Sequence, residues 1–304
     1  MSNAADAAAP VDFEQRKVLA RAITSIESGG NQALTLEEAA LATPANAHVL
    51  GITGPPGAGK SSLVSALLPL ALQRYSSVAV LAVDPSSAVT GGALLGDRVR
   101  IDYRHFGNRV FFRSMASRGH QGGIAAATRA TINLLDADQW PLIIIETLGI
   151  GQVELDIVDL ADRVLVVLNP GWGDGFQANK AGLTEQGDAF ALNKADRPGL
   201  EQAKILLEQS LQCLPVARPP SVFPTIATDG DGVTELWHDL AQLLADSPTE
   251  SSKKRRILAA REAARAQLLS DFETFLDCGG GEATQEKSPG TATDLLARFY
   301  QQQS

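Results

Sequence analysis

The chain has little of what several function classes require. Cysteine occurs at two positions, Cys213 and Cys278, too few for a disulfide framework or a cysteine-rich metal centre, and consistent with a reducing, cytoplasmic setting. The histidines His48, His105, His120 and His238 are scattered, so the ligand cluster that a nickel-handling metallochaperone needs is missing. No apolar stretch approaches the roughly 20 residues that span a bilayer. A basic excess is also missing: the formal charge is −9, the wrong sign for a nucleic-acid footprint. Met1 to Pro10 is Ala-rich and acidic, unlike a signal or transit peptide, and is expected to fray. What is present is a hydrophobic content of 44% in 304 residues, enough for one large α/β domain with helical additions.

From residue 48 onward, short β-rich runs alternate with amphipathic helices. The runs are 48–53, 77–83, 109–113, 141–146, 163–169, 188–193 and 221–227. Several, such as Val78 to Val83 and Leu142 to Ile145, are continuous aliphatics. Continuous rather than alternating runs point to parallel strands covered on both faces, hence a doubly wound, mostly parallel sheet. Helical spacing over 11–28, with Val18 among its apolar positions, ends at Gly29-Gly30. A second short helix is expected over 36–41, with Thr35 as its N-cap. Beyond Pro248, Lys253-Lys254-Arg255-Arg256 opens a long helical stretch to about Leu276. On an acidic chain that tetrad reads as a solvated helix start rather than a nucleic-acid patch. The expected division is a helical extension over 1–45, a nucleotide-binding domain over 46–247, and a helical segment over 248–304.

The strongest signal lies at 54–61, which reads Gly-Pro-Pro-Gly-Ala-Gly-Lys-Ser between an apolar strand and a helical pattern. That is a Walker A loop in its required context. Gly54, Pro55, Gly57, Ala58 and Gly59 let backbone amides converge on phosphate oxygens, and the helix N-terminus adds its dipole. Lys60 supplies a cation for the β- and γ-phosphates, Ser61 a hydroxyl for Mg²⁺, and Ser62 continues the cradle. Magnesium needs further hard oxygens, for which Asp84, Asp97 and Glu146 are the candidates. Asp84 and Glu146 end strands, where open α/β sheets bind ligands.

Base identity comes from Asn193-Lys194-Ala195-Asp196 at the end of the 188–193 run. The Asp196 carboxylate can accept from guanine N1–H and the exocyclic amine, donors that adenine lacks. Ala227 can offer a backbone amide to guanine O6. GTP and GDP are therefore the expected nucleotides. Of the alternatives, a nickel-type metallochaperone GTPase and an ATP-dependent kinase linked to amino-acid transport, the kinase has no use for this element.

Taken in order, residues 51–63, 81–87, 90–100, 112–123, 146–154, 170–182 and 193–196 resemble the MeaB/ArgK family of SIMIBI-class P-loop GTPases. The resemblance implies GTP hydrolysis and a role as G-protein chaperone of a cobalamin-dependent acyl-CoA mutase such as methylmalonyl-CoA mutase. It also implies homodimers joined through C-terminal helices. Within that pattern Lys60, Asp97, Glu146 and Lys180 are the catalytic or switch residues. The loop 171–180, with Asp174, Gln177 and Lys180, resembles a segment that communicates with the mutase. Trp172, Phe176 and Ile226 depart from the family's usual residues; no glutamine that could position water directly follows the 146–149 element, Gln152 lying three residues on. Arg98, Arg100 and Arg113 could assist the chemistry.

Overall fold

The computed structural model describes residues 13–43, 46–83, 103–115, 123–147, 157–172, 185, 187–216, 219–247 and 249–277. All seven predicted runs are strands: β1 (His48–Thr53), β2 (Val78–Val83), β3 (Val110–Met115), β4 (Leu142–Thr147), β5 (Arg163–Leu168), β6 (Ala189–Asn193) and β7 (Ser221–Thr225). They form one sheet in the order β3-β2-β4-β1-β5-β6-β7, every pair parallel. β3 runs past the expected Arg113 because Ser114 and Met115 still pair with Ala82 and Val83 of β2. β7 stops at Thr225 because Ile226 turns away to bridge Asp231.

The helices are α1 (Phe13–Ser28), α2 (Asn31–Ala42), α3 (Lys60–Arg74), α4 (Gly123–Ala137), α5 (Leu200–Gln212), α6 (Val233–Ala245) and α7 (Thr249–Phe275). Alternate strand residues serve opposite faces. Leu50, Ile52, Leu165 and Val167 pack with α3 and α6 in one buried cluster. Val49, Leu81, Ile143 and Ile145 pack with α1 and α4 on the other face. Val164, Val166 and Phe190 meet Leu207 and Leu211 of α5 in a third. The continuous aliphatic runs are thus explained by cover on both faces.

Three expectations change. α2 begins at Asn31, not near residue 36, because Gly29 and Gly30 (φ 73 and 84) reverse the chain in two residues. Thr35 is therefore not an N-cap; its hydroxyl donates to the Asn31 carbonyl at 3.0 Å inside the helix. Val18 is 64% exposed, and the buried stripe of α1 is Leu19, Ile23 and Ile26. The basic tetrad is not simply solvated. The Arg255 guanidinium pairs with Asp162 at 2.7 Å, with both side chains buried, and Arg256 donates to the Leu41 carbonyl at the end of α2. Both arginines fasten α7 to the body.

Candidate nucleotide-binding site

β1 lies between β4 and β5, where the sheet order reverses, and the crevice beyond such a strand end is where open α/β sheets take ligands. The glycine loop leaves β1 at this point. Gly54 has φ 137 and its missing Cβ would meet the Val167 carbonyl oxygen at 2.0 Å, so the loop can lie against β5 only with glycine there. Gly59 has φ 96 and is the N-cap of α3, with no side chain capping that helix. The helix start therefore presents its amides and positive dipole end toward the loop, an arrangement suited to an anion. Pro55 and Ala58 are buried in the loop wall, while Gly57 and Ser62 are exposed.

Lys60 is buried, and its ammonium donates to the carbonyls of Gly54 at 2.5 Å and Pro55 at 3.1 Å. The cation is held by the loop it follows. The Ser61 hydroxyl donates to Glu146 Oε1 at 2.5 Å, so strand β4 reaches the first turn of α3. One residue on, Thr147 donates to the Thr53 hydroxyl at 3.1 Å, joining the ends of β4 and β1. Glu146 is 2% exposed. Burial pushes its carboxyl above the ordinary value, against the opposing pull of the Ser61 hydrogen bond and the Lys60 charge. A hydroxyl and a carboxylate this close are hard oxygen donors of the type Mg²⁺ takes.

The end of β6 is joined to the same loop. Asn193 is buried; its Nδ2 donates to the Ala58 carbonyl at 2.9 Å. Its Oδ1 accepts from the Thr225 hydroxyl at 3.3 Å and the Ala227 amide at 3.1 Å. Lys194 takes φ 61, and its ammonium donates to the Gly57 carbonyl at 2.6 Å. Asp196 is exposed beside them. The fold thus gathers Gly54, Lys60, Ser61, Glu146, Asn193 and Lys194, from three separate parts of the sequence, at the carboxyl ends of β1, β4 and β6.

Asp84, Asp97 and Lys180 lie outside the described residues, as do Arg98, Arg100, Gln152, Asp174, Phe176 and Gln177. Arg113 is engaged elsewhere: its guanidinium meets Glu27 of α1 at 2.5 Å and the Thr24 hydroxyl at 3.0 Å. It ties α1 to β3. Sequence reasoning missed Thr53, Thr147 and Thr225, whose hydroxyls organise the strand ends. Each is the last residue of its strand, but nothing in the sequence marks which hydroxyl finds a partner.

Comparison with known proteins adds the following. The family model described as methylmalonyl-CoA mutase-associated GTPase MeaB matches residues 19–274. A protein of Pyrococcus horikoshii is 38% identical over 92% of this chain and 93% of its own length. The Escherichia coli protein named GTPase ArgK is 35% identical over 84% of this chain and 79% of its own. The mouse protein named methylmalonic aciduria type A homolog, mitochondrial, is 28% identical over 94% of this chain and 77% of its own. Among solved structures, one described as an LAO/AO transport system kinase superposes with a TM-score of 0.64 at 22% identity, covering 95% of this chain and 94% of that one. That likeness concerns the fold. Among the described residues no helix is long and apolar enough to cross a membrane.

Proposed function

This chain belongs to the MeaB family of P-loop GTPases, and on that premise we propose that it is a GTP-switched chaperone of a cobalamin-dependent acyl-CoA mutase. The observation that carries the nucleotide half of this reading is the joining of two strand ends. Asn193 and Lys194, after β6, bond the Ala58 and Gly57 carbonyls of the loop after β1. A phosphate cradle and a base-reading edge in direct contact make one pocket for one nucleotide. The partner half is supported by the description of the matching family and the name of the mouse relative.

In this reading the 54–59 amides and the start of α3 hold the phosphates. Lys60 exchanges the Gly54 and Pro55 carbonyls for β- and γ-phosphate oxygens. Ser61 and Glu146 hold Mg²⁺, with Asp84 and Asp97 completing the set. The bound ion would neutralise charge that builds on the phosphate oxygens. Burial raises the pKa of Glu146, while the Ser61 hydrogen bond and the Lys60 charge favour its carboxylate form. Asp196 reads guanine, Lys194 and Asn193 support it, and the Ala227 amide is the donor for O6, for which Asn193 competes. Catalysis is positioning and charge neutralisation, so hydrolysis is slow until a partner orders the site. Lys180 and the 171–180 loop report the nucleotide state to the mutase. Two copies associate through the helical segment 248–304, in the cytoplasm.

The test is twofold. Calorimetry on nucleotide-stripped protein is expected to show GDP and GTP binding well ahead of ADP and ATP; no preference would end the guanine reading. Mutase affinity measured in the GTP-analogue and GDP states is expected to differ. Equal affinities would end the chaperone reading, because a ligand shifts a partner only through differential binding.

A further inference from the structure

We propose that Thr53 and Thr147 are positioning residues: their paired hydroxyls fix where Glu146 stands relative to Ser61, and so set how firmly Mg²⁺ is held with GTP. The proposal rests on the nucleotide and metal assignments of the preceding subsection. It starts from the seam between β4 and β1. Their register runs from His48 beside Leu142 to Ile52 beside Glu146. One residue further, each strand pairs with its other neighbour: Thr53 with Val166 of β5, and Thr147 with Val83 of β2. At that level the two hydroxyls cross the seam, Thr147 Oγ1 donating to Thr53 Oγ1 at 3.1 Å. Both side chains are buried, so bulk water does not replace the bond when it is lost.

The seam divides the site. Gly54, Lys60 and Ser61 follow β1, and Asn193 and Lys194 stand at the end of β6, on the same side of the seam. These parts are bonded to one another, Asn193 to the Ala58 carbonyl and Lys194 to the Gly57 carbonyl. Glu146 alone among the described site residues stands across the seam, on β4. It reaches over on the face that α3 covers, where it accepts the Ser61 hydroxyl at 2.5 Å. Strand residues alternate between faces. Leu50, Ile52 and Ile144 pack with α3, whereas Val49, Ile143 and Ile145 pack with α1 and α4. Thr53 and Thr147 continue the second set. The Ser61–Glu146 bond and the Thr53–Thr147 bond therefore clasp one seam from opposite faces, one strand residue apart. A metal ion held by Ser61 and Glu146 competes for the oxygens of the first clasp. The second has no part in ligation and keeps the end of β4 in place.

The experiment measures the affinity of a non-hydrolysable GTP analogue by calorimetry with and without Mg²⁺, kcat for GTP, and Tm. The variants are Thr147→Val, Thr147→Ser and the double variant Thr53→Val/Thr147→Val. In Thr147→Val the factor by which Mg²⁺ tightens the analogue is expected to fall about 3- to 10-fold, what one neutral hydrogen bond is worth, and kcat to fall with it. Metal-free affinity should stay within about twofold, as for sites that share no partner. Thr147→Ser keeps the hydroxyl and should match the parent. The double variant should lose no more than Thr147→Val, because each hydroxyl serves the other. Where the single variant does not fold, the double variant replaces both partners by apolar groups of the same shape, a near-neutral change for folding, and should show the same loss. A folded double variant with an unchanged Mg²⁺ factor and kcat overturns the proposal. So does an equal fall in metal-free affinity, the signature of general loosening. A Ser61→Ala control keeps the two readings apart: if Mg²⁺ still tightens the analogue there as in the parent, the metal assignment itself fails, and the proposal with it.

Discussion

The amide nitrogen of Asn193 occupies the space into which a side chain on Gly59 would project, 2.3 Å from where that Cβ would sit. The strand end at Asn193 and the glycine loop are therefore fitted to each other at the level of a single methyl group. Gly59 also holds φ 96, a region that L side chains enter only with strain.

Gly59→Ala is accordingly expected to fold with a loss of about 1–3 kcal/mol from the strained backbone alone. The added methyl meets the movable end of Asn193 rather than a fixed wall, so Asn193 should swing away from the Ala58 carbonyl. Discrimination of GDP from ADP should narrow in this variant. Denaturant unfolding and paired calorimetric titrations check both halves; an unchanged GDP/ADP ratio would mean that Asn193 has no part in base reading.

Thr225 donates to Asn193 Oδ1, and its carbonyl accepts the Ala195 amide. Thr225→Val keeps the shape and removes only the hydroxyl. Guanine nucleotide affinity should fall by about 0.5–1.5 kcal/mol, the net worth of one neutral hydrogen bond, while ADP affinity stays as it was. Equal losses for both nucleotides would show that Thr225 merely supports the strand.

Glu146 gives a pH signature. Its folded-state pKa stands above the ordinary 4.5 because burial disfavours the charged form. The folded state therefore binds more protons than the unfolded chain once pH passes the ordinary value, and stability falls as pH rises through the raised pKa. Glu146→Gln removes that titration and keeps an acceptor for Ser61. In metal-free, nucleotide-free protein its Tm advantage over the parent should be small near pH 4.5 and grow as pH rises. GTP turnover should drop by at least about 100-fold, as when a charge-stabilising group is lost. A Tm difference that does not change with pH would refute the assignment.

Arg113 separates a structural arginine from a catalytic one. Glu27 is fully buried and Arg113 lies at 2.5 Å from it, so Arg113→Met should cost about 3–5 kcal/mol, as when one partner of a buried ion pair is removed. Turnover per folded molecule should match the parent. A lower kcat in the folded fraction would return Arg113 to the active site.

The strands were legible because burial on both faces writes itself as continuous aliphatics, as in Val78 to Val83. The glycine loop was legible because its geometry admits few residues: a Cβ at Gly54 would run into the Val167 carbonyl, and Gly59 holds a positive φ with the Asn193 amide in the place of its Cβ. Other features depend on distant partners. Nothing in Lys253 to Arg256 marks Arg255 as the residue that turns inward, since its carboxylate is Asp162, and nothing near Arg113 in sequence marks its partner, Glu27 of α1, which sets it apart from the chemistry. Thr35 failed for a local reason, because the reversal at Gly29 and Gly30 takes two residues and the helix restarts before threonine is reached.

The far part of α7 is unlike the rest of the body. Among the described side chains of α7, Ala259 is the last buried apolar one, whereas Leu268 and Leu269 are 50% and 45% exposed. About half of each side chain is already in water, so substitutions there carry a smaller folding penalty than in the core. A polar residue at Leu268 or Leu269 should therefore leave the Tm of the isolated chain close to that of the parent.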